Sequence, residues 1–330
     1  TQIVVTIPVS AVSGALTFNL KNGTQFNAPE LTLVQPEVTS VSGKHKDGET
    51  ITIVGTHFAM VAKVKISGTE VGFTYDGNNT ITFVVPDNTP DGDIILVTAM
   101  GAEVDGGDYV TVIPTNLATD PSSVKLGSSF SITGNDLDLV TAISIPGSGS
   151  LTASDWSYAD GKIMVNALPE TAVDGDIVLT TKSIDVQGNY KTASLACTLV
   201  KPVVTSYSPS DGVAVGGTLT INGKDLDLIR GVIFNGDSNP VAPDEGGSDT
   251  SITVTVPVAA VSGNLKLVLV NGATIEINNL IVRGNPDITS ITRDASNIYV
   301  NGSDLNIATA VKINGSILAT DRYLVNADGS

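Results

Sequence analysis

The run Gly223-Lys224-Asp225-Leu226-Asp227-Leu228 decides the reading of this chain, because its pattern occurs four times. A glycine closes an apolar stretch, a short polar residue follows two positions later, and an apolar residue comes next. The copies are Gly55-Thr56-His57-Phe58, Gly134-Asn135-Asp136-Leu137, Gly223-Lys224-Asp225-Leu226 and Gly302-Ser303-Asp304-Leu305. Recurrence every 79 to 89 residues predicts a tandem array of similar domains.

Two further patterns keep a fixed place in each repeat. An apolar-x-apolar triplet begins nine residues after each glycine, in Val64-Lys65-Ile66, Ile143-Ser144-Ile145, Val232-Ile233-Phe234 and Val311-Lys312-Ile313. An alternating stretch ends near a proline with a glycine six positions beyond, in the pairs Pro8 and Gly14, Pro86 and Gly92, Pro169 and Gly175, and Pro257 and Gly263. The alternation of residues 252–256, like that of residues 3–7, predicts strands with one buried face. Many short strands per repeat predict an immunoglobulin-like sandwich.

Prolines mark the predicted domain boundaries, because each follows a short closing strand such as residues 31–34 or 110–113. They are Pro36, Pro114, Pro202 and Pro286. The predicted organisation is all-β, with complete repeats at residues 36–114, 115–201 and 202–285, the C-terminal half of a repeat at residues 1–35 and the N-terminal half of one at residues 286–330. Since such joints leave little free loop, we expect an elongated, semi-rigid rod.

The two half-repeats are complementary in sequence. From the anchor glycine to the proline there are 31, 35 and 34 residues in the complete repeats, and 36 from Gly302 to Pro8 when residue 330 is counted as adjacent to residue 1. A half-sandwich exposes apolar side chains and unpaired backbone. We therefore expect another copy to supply the missing half, either in a longer array or between subunits joined head to tail.

Composition narrows the function classes. With 17 Lys and Arg against 34 Asp and Glu, the net charge is −17, so neither nucleic acid nor direct membrane insertion is expected. The one cysteine, Cys197, cannot form a disulfide within the chain, and its alternating surroundings predict burial. The expected location is extracellular, at the cell surface, with any secretion signal outside the given chain.

The stretch Pro36-Glu37-Val38-Thr39-Ser40-Val41, the glycines that follow it and the strand-Pro-x5-Gly pattern resemble the IPT/TIG family of immunoglobulin-like domains. Residues 202–209, with Gly216 and Gly223, resemble it still more closely. The form Gly-x-Asp-Leu-x-Leu is similar to a variant common in surface proteins of Bacteroidetes-type bacteria. The resemblance implies a sandwich found in receptors, adhesins and glycan-binding lipoproteins, and it implies no particular activity.

Several residues are structural candidates. We expect Gly55, Gly134, Gly223 and Gly302, with Asp136, Asp225 and Asp304, to form turns in which a short polar side chain bonds to local backbone. His57 stands at the same position, and neither it nor His45 has zinc-ligand spacing. Asp91 and Asp93, Asp174 and Asp176, Asp136 and Asp138, and Asp225 and Asp227 are close carboxylate pairs, interpreted as solvated turn acids with junction calcium as the alternative.

Trp156 and Tyr158 are the candidate glycan contacts. An exposed aromatic ring stacks on the C–H groups of a sugar, although a single tryptophan in a sandwich commonly packs against the core. No catalytic, cofactor-binding or metal site is predicted, and we expect no enzyme and no cofactor. The leading hypothesis is a structural shaft or filament-forming region of a surface adhesin or surface-layer protein that pairs with copies of itself end to end. The alternative is a surface glycan-binding protein that takes polysaccharide at Trp156.

Overall fold

A computed structural model describes residues 2–7, 11, 13–284, 287–305, 308 and 310–324. None of these residues is in an α-helix, and multiple antiparallel sheets account for most of the regular structure. The predicted fold class, all-β with tandem immunoglobulin-like sandwiches, is confirmed; the rod shape stays a prediction. Pro8 and Pro286, which the sequence predicted as a strand end and a domain boundary, lie outside the described residues.

The chain forms two compact units. One comprises residues 1–122, 130–166 and 175–197, and the other comprises residues 123–129, 167–174 and 198–330. Both units contain strands of the repeat predicted at residues 115–201, so the units do not follow the predicted domain boundaries. Those boundaries stay a prediction.

In the first unit, residues 36–114 form two four-stranded sheets, ordered β3-β4-β8-β7 and β10-β9-β5-β6. The strands are β3 (Glu37–Ser42), β4 (Thr50–Thr56), β5 (Val61–Ile66), β6 (Thr69–Val71), β7 (Phe73–Tyr75), β8 (Thr80–Val84), β9 (Gly92–Thr98) and β10 (Glu103–Tyr109), preceded in the chain by the hairpin of β1 (Gly14–Asn19) and β2 (Gln25–Leu31). Ile51, Ile53, Ile81, Ile94 and Leu96 are fully buried in the core of this repeat. Their alternation along the strands places one face of each strand in the core, as the sequence predicted.

The next repeat begins in the same unit. One sheet is ordered β11-β13-β17-β16. The second is ordered β12-β19-β18-β14-β15. The strands are β11 (Thr115–Asp120), β12 (Ser123–Val124), β13 (Phe130–Asn135), β14 (Val140–Ile145), β15 (Gly149–Ser150), β16 (Trp156–Ala159), β17 (Lys162–Val165), β18 (Gly175–Ile184) and β19 (Tyr190–Leu199). In the second unit, β12 pairs in parallel with Thr198 and Leu199, the last two residues of β19.

The second unit contains the sandwich of residues 202–285, with sheets β20-β22-β24, β23-β25-β26 and β21-β27. The strands are β20 (Val203–Ser208), β21 (Val213–Ala214), β22 (Thr218–Lys224), β23 (Ile229–Ile233), β24 (Ser251–Thr255), β25 (Gly263–Leu269), β26 (Thr274–Leu280) and β27 (Val282–Arg283). They are followed by two hairpins, formed by β28 (Asp287–Arg293) with β29 (Ile298–Ser303) and by β30 (Lys312–Ile313) with β31 (Ser316–Ile317). Leu219, Ile221, Val254, Leu265 and Leu267 lie in the core of the complete sandwich.

Short 3-10 helices are formed by Phe58–Met60, Leu137–Leu139, Leu226–Leu228 and Thr320–Arg322. Two predicted strand positions are wrong. Residues 3–7 are irregular and exposed, because the described residues provide no neighbouring strand to bond them. The closing strands end at Leu31 and Tyr109, so residues 32–34 and 110–113 continue as connecting chain.

Candidate functional site at the junctions between repeats

The Asp-Leu-Asp turns point their acids away from their own repeat. Asp136 and Asp225 adopt left-handed backbone conformations, with φ of 54° and 55°, which short polar residues tolerate. The next residue in each, Leu137 or Leu226, is buried in a 3-10 turn. Neither aspartate caps its turn. These side chains therefore do not form the expected cap hydrogen bond to the backbone of their own turn.

In the first unit, lysines of the preceding repeat occupy one acid pair. Lys46 Nζ donates to Asp138 Oδ1 at 2.8 Å and to Asp136 Oδ1 at 3.3 Å, and Lys44 Nζ reaches the same Asp136 oxygen at 3.1 Å. The side chains of Lys46 and Asp136 are largely buried, whereas Lys44 is exposed. Residues about 90 positions apart in sequence are thus joined by a partly desolvated ion pair.

In the second unit, Lys125 does the same with the next acid pair. Its Nζ donates to Asp225 Oδ1 at 2.9 Å and to Asp227 Oδ1 at 2.8 Å. Lys125 and Asp225 are again mostly buried, and Asp227 lies at the rim. We call these two arrangements the lysine clasps. Each consists of one lysine that bridges both acids of an Asp-Leu-Asp turn.

The two clasps are equivalent by sequence position. Lys46 and Lys125 each stand two residues before a glycine of positive φ, Gly48 or Gly127. In both repeats the amide of that glycine donates to a carbonyl near the end of the sandwich strand, Val85 O or Leu168 O, at 2.9 and 2.8 Å. The same loop therefore holds the lysine in both repeats.

Where the sequence lacks the lysine, it also lacks the full acid pair. Gly216 makes the same hydrogen bond, to Val256 O, but Ala214 stands two residues before it. The next turn along the chain has Asp304 with Asn306 in place of a second aspartate. Sequence reasoning missed the lysines, and this matched presence of Lys and Asp-Leu-Asp is the signal that would have found them.

The ionisation of both partners reflects the clasp. Partial burial alone would raise the pKa of Asp136, but hydrogen bonds from Lys44 and Lys46 outweigh it, and the pKa is lowered. Burial likewise opposes the charged form of Lys46 and Lys125, yet the paired aspartates raise the pKa of both amines above 10.5. Attraction between the partners exceeds the cost of desolvation at each site.

A second contact recurs immediately before the glycine of the strand-Pro-x5-Gly pattern. An oxygen of that side chain accepts the backbone N–H of a residue at or just after the closing strand. The bonds are Leu33 N to Ser13 Oγ at 2.9 Å, Thr111 N to Asp91 Oδ1 at 2.7 Å, Leu199 N to Asp174 Oδ1 at 2.7 Å and Val282 N to Ser262 Oγ at 2.9 Å. All four repeats thus have a side-chain hydrogen-bond acceptor at this position, either a serine hydroxyl or an aspartate carboxylate.

Asp91 also ties its repeat to the next one in the first unit. Lys191 Nζ donates to Asp91 Oδ2 at 2.9 Å and to the carbonyl of Thr111 at 2.9 Å. Partial burial raises the pKa of Asp91, but hydrogen bonds from Thr111 and Lys191 outweigh it and lower the pKa. The interpretation of this residue as a solvated turn acid is wrong, because its side chain is largely enclosed.

The connecting chain after Tyr109 is held by the same unit. His45 accepts the Val110 amide at Nδ1, 3.0 Å, and its carbonyl accepts the Val112 amide at 3.1 Å. Its ring stacks on the buried ring of Tyr109, with centroids 4.9 Å apart. Ser183 Oγ donates to Val112 O at 2.6 Å. These bonds satisfy backbone groups that a closing strand would otherwise have paired.

Trp156 and Tyr158, the candidate glycan contacts, lie on the face of their sheet that points to the core. Trp156 and Tyr158 lie on β16, the edge strand, directly opposite Val165 and Ile163, which are both fully buried. Opposite residues of an antiparallel pair point to the same face. The register therefore directs both rings inward, with Trp156 half-buried and Tyr158 partly exposed at the rim.

The preceding repeat contains the same aromatic pair. Phe73 lies opposite Phe83 and Tyr75 opposite Ile81, and both aromatic residues of β7 pack against the core. This correspondence was missed in the sequence because the loops before β7 and β16 differ in length. The geometry around Trp156 is that of edge packing, and the glycan contact stays a prediction.

The polar side chains around a surface depression in the second unit bond to one another or to nearby backbone. A depression of about 720 Å³ in the second unit is bordered by Asn235, Asn264 and Glu276. Asn264 Nδ2 donates to Glu276 Oε1 at 2.8 Å, and Asn235 Nδ2 donates to the Ser262 carbonyl at 2.8 Å. Within the described residues no three His, Cys, Asp or Glu side chains come together as a metal site. Cys197 is buried, as predicted.

Together, the sandwiches and clasps define the chain as a tandem immunoglobulin-like repeat protein. The family model described as "IPT/TIG domain" matches residues 36–111 and 202–285. These two segments of the chain are therefore IPT/TIG domains. A search of curated protein sequences found no match. No helix in the described part of the chain has the length and apolar character required to cross a lipid bilayer.

Several solved structures are similar to the chain at low superposition scores. A protein solved with a xylogluco-oligosaccharide is 22% identical, with 74% of this chain and 59% of that chain covered and a TM-score of 0.32. The SGBP-B of a Bacteroides ovatus mixed-linkage glucan utilization locus is 19% identical, with 78% of this chain and 74% of that chain covered and a TM-score of 0.23. The surface glycan-binding protein PbSGBP-B of Prevotella bryantii is 15% identical, with 64% of this chain and 62% of that chain covered and a TM-score of 0.27. This chain thus spans less than two thirds of the first and third proteins, and at these scores the likeness does not bear on function.

Proposed function

We propose that this chain is a non-catalytic, stiff repeat region of an extracellular cell-surface protein, in which IPT/TIG sandwiches joined end to end form a shaft. The observation that carries the proposal is the lysine clasp, which recurs at two successive junctions with the same residue types at the same positions. A repeated, partly buried ion pair at a joint restricts its bending. Head-to-tail pairing with further copies extends the shaft.

The carboxylates that could have served a hydrolase have structural partners, either across a joint or within their own repeat. An enzyme of that class holds two acids across an open cleft in different environments. Here Asp136 and Asp225 bind lysine, and Asp91 and Asp174 accept backbone amides. A lysine ammonium also stands between the acids at which the calcium alternative would place an ion. These contacts support a mechanical role for the acid pairs.

The surface composition supports a shaft in an exposed setting. A net charge of −17 makes neighbouring shafts repel one another in solution. The chain requires no disulfide for its fold, since its one cysteine is enclosed. Stability is then stored repeat by repeat, each sandwich having its own core and contacting its chain neighbours.

Spin-label distances test the stiffness of the first joint. Thr74→Cys and Ser157→Cys place labels on equivalent, outward-facing positions of β7 and β16, in a background in which the buried Cys197 is changed to Ala. We expect a narrow distance distribution in this protein. In Lys44→Met/Lys46→Met the distribution should broaden to at least about twice its width, because the ion pair that opposes bending is lost.

The matched control is Lys63→Met. Lys63 forms a solvent-exposed ion pair of 2.8 Å with Glu70 inside one repeat, so its loss removes an ion pair without touching the joint. Its distance distribution should stay narrow. A broad distribution in the parent protein, or equal broadening in both variants, would contradict the proposed shaft.

A further inference from the structure

Residues 298–303 carry core side chains that the structure leaves exposed. In the complete repeats, the residues two and four positions before the anchor glycine are buried in the sandwich. These residues are Ile51, Ile53, Phe130, Ile132, Leu219 and Ile221. The equivalents before Gly302 are Ile298 and Val300, exposed by 61% and 42%. Strand β29 pairs with β28 and, within the described residues, with no strand at its other edge.

Residues 3–7 show the complementary defect. In two complete repeats the residues one, three and five positions before the proline are core residues. They are Ile81, Phe83, Val85, Ile252, Val254 and Val256. The equivalents before Pro8 are Ile3, Val5 and Ile7, and Ile3 and Val5 are exposed by 71% and 58%. Here an apolar alternating segment lacks the strand that such segments pair with.

The pairing between these two kinds of segment keeps one register. Ile53 lies opposite Ile81 and Ile51 opposite Phe83; Ile221 lies opposite Ile252 and Leu219 opposite Val254. Counted from the glycine and the proline, these are the same positions in both repeats. In the repeat at residues 115–201 the same apolar pairing occurs, with Ile132 opposite Ile163 and Phe130 opposite Val165, but the partners lie one residue farther from Pro169. Transferred to the exposed segments, the register pairs Val300 with Ile3 and Ile298 with Val5. A slip of one residue would turn every apolar side chain outward, so this register is strongly preferred.

We propose that the free edge of β29 binds residues 2–7 of a second copy of this chain as an added antiparallel strand, with Val300 opposite Ile3 and Ile298 opposite Val5. This inference rests on the proposed head-to-tail assembly and specifies its contact. Main-chain hydrogen bonds provide the attachment, and the apolar side chains select the register. Because the two surfaces lie on different parts of the chain, each copy can bind two others, and the contact propagates into a filament.

Mixed disulfide formation tests the register. The outward position between the two apolar pairs has Thr52 opposite Thr82 and Thr220 opposite Thr253, which corresponds to Tyr299 opposite Val4. Val4→Cys and size-tagged Tyr299→Cys are prepared separately in the Cys197→Ala background and then mixed under mild oxidation. We expect a tagged–untagged dimer on a non-reducing gel, because directly opposite residues lie within disulfide range.

Thr292→Cys is the matched control. Thr292 pairs with Tyr299 on the neighbouring strand, so it lies about two strand spacings, roughly 10 Å, from the added segment. Val4→Cys should form mixed dimers at least about tenfold faster with Tyr299→Cys than with Thr292→Cys. Equal rates overturn the register. Closure of a single Val4→Cys/Tyr299→Cys chain on itself at high dilution overturns the second copy as the partner.

Light scattering gives an independent readout. Val300→Asp should abolish the concentration-dependent mass increase of the parent chain, whereas Asn301→Asp, which places the same charge on the opposite face, should retain it. Equal loss in both variants, or equal retention, overturns the proposal. The spin-label test of the first joint does not involve these residues, so a narrow distance distribution without mixed dimers leaves the shaft in place and removes only the added strand.

Discussion

At the scale of single residues, the anchor glycines allow two strands to approach across a β-bulge. A Cβ on Gly55 would overlap the Glu37 carbonyl oxygen, and a Cβ on Gly223 would overlap the Val203 carbonyl oxygen. The register shifts by one residue at that point in both repeats. The extra residue, Thr39 or Thr205, donates its hydroxyl hydrogen to the facing strand. The glycine is therefore required by contact with backbone, which cannot give way.

Gly55→Ala tests this contact. We expect a loss of about 3 kcal/mol in the unfolding free energy of the repeat at residues 36–114, because the bulged strands must separate. Gly72→Ala is the control, since a Cβ there meets nothing within 4 Å and its φ is not positive. Thermal and urea unfolding measure both variants. Equal stability of the two would show that the close approach does not explain the glycine.

The side-chain acceptor before the second glycine provides another residue-scale prediction. Asp174→Ala leaves the Leu199 amide without its acceptor and should cost about 1 kcal/mol, whereas Asp174→Asn keeps an oxygen at that position and should cost less than about half as much. Hydrogen exchange of the Leu199 amide is the specific measurement. It should quicken in the alanine variant and stay slow in the asparagine variant; the reverse order would contradict the role of the acceptor.

At the scale of elements, the edge strands β7 and β16 close their sheets with inward-facing aromatic residues. The antiparallel register of β16 with β17 places the Trp156 side chain on the same face of the sheet as Ile163 and Val165. An aromatic ring at this place covers the open end of a core. The same physical need at Phe73 and Tyr75 explains the repeated aromatic pattern without a ligand.

Trp156→Ala should therefore lower stability and leave polysaccharide binding unaltered. We expect a loss of about 1 to 2 kcal/mol, less than for a fully buried tryptophan because the ring is half-exposed. Ser157→Ala, on the outward face of the same strand, should be neutral. Affinity electrophoresis with a panel of polysaccharides completes the test: a specific retardation of the parent chain that disappears in Trp156→Ala would favour the glycan-binding hypothesis.

At the scale of the whole molecule, the lysine clasps predict how stiffness depends on pH. The lowered pKa of Asp136 stabilises the clasp above the unfolded-state pKa, near 4, and this contribution is lost as the pH falls through the folded-state value. The raised pKa of Lys46 stabilises it below 10.5, and this contribution is lost as the pH rises through the folded-state value. The spin-label distribution of the first joint should stay narrow between about pH 4 and 10.5, and it should broaden only when the pH falls through the lowered pKa of Asp136 or rises through the raised pKa of Lys46.

Lys44→Met/Lys46→Met is the control for this prediction, because without the amines the joint has no clasp to titrate. Its distance distribution should be equally broad across the whole pH range. A parent protein whose distribution does not change with pH would show that other contacts, such as those of Asp91 with Lys191 and Thr111, suffice to hold the joint.

Much of the architecture could be predicted from local patterns. Alternating apolar residues specify which face of each strand is buried, and the fixed distances from Gly55, Gly134 and Gly223 specify repetition of one domain type. The position of Cys197 followed from the same alternation. These properties depend on residues close together in the chain, so the sequence expresses them directly.

Only the tertiary structure decided the roles of the acids and of the aromatic pair. The partner of Asp136 is Lys46, 90 positions earlier, and no local rule connects the two. Trp156 faces the core because of its pairing with Val165, which depends on strand register. The closing strand β10 ended at Tyr109, before the predicted residues 110–113, because His45 and Ser183 satisfy the connecting backbone from elsewhere in the fold. The sequence by itself determined the domain type and its period, since both arise from short-range periodicity, whereas side-chain function depended on contacts between distant segments.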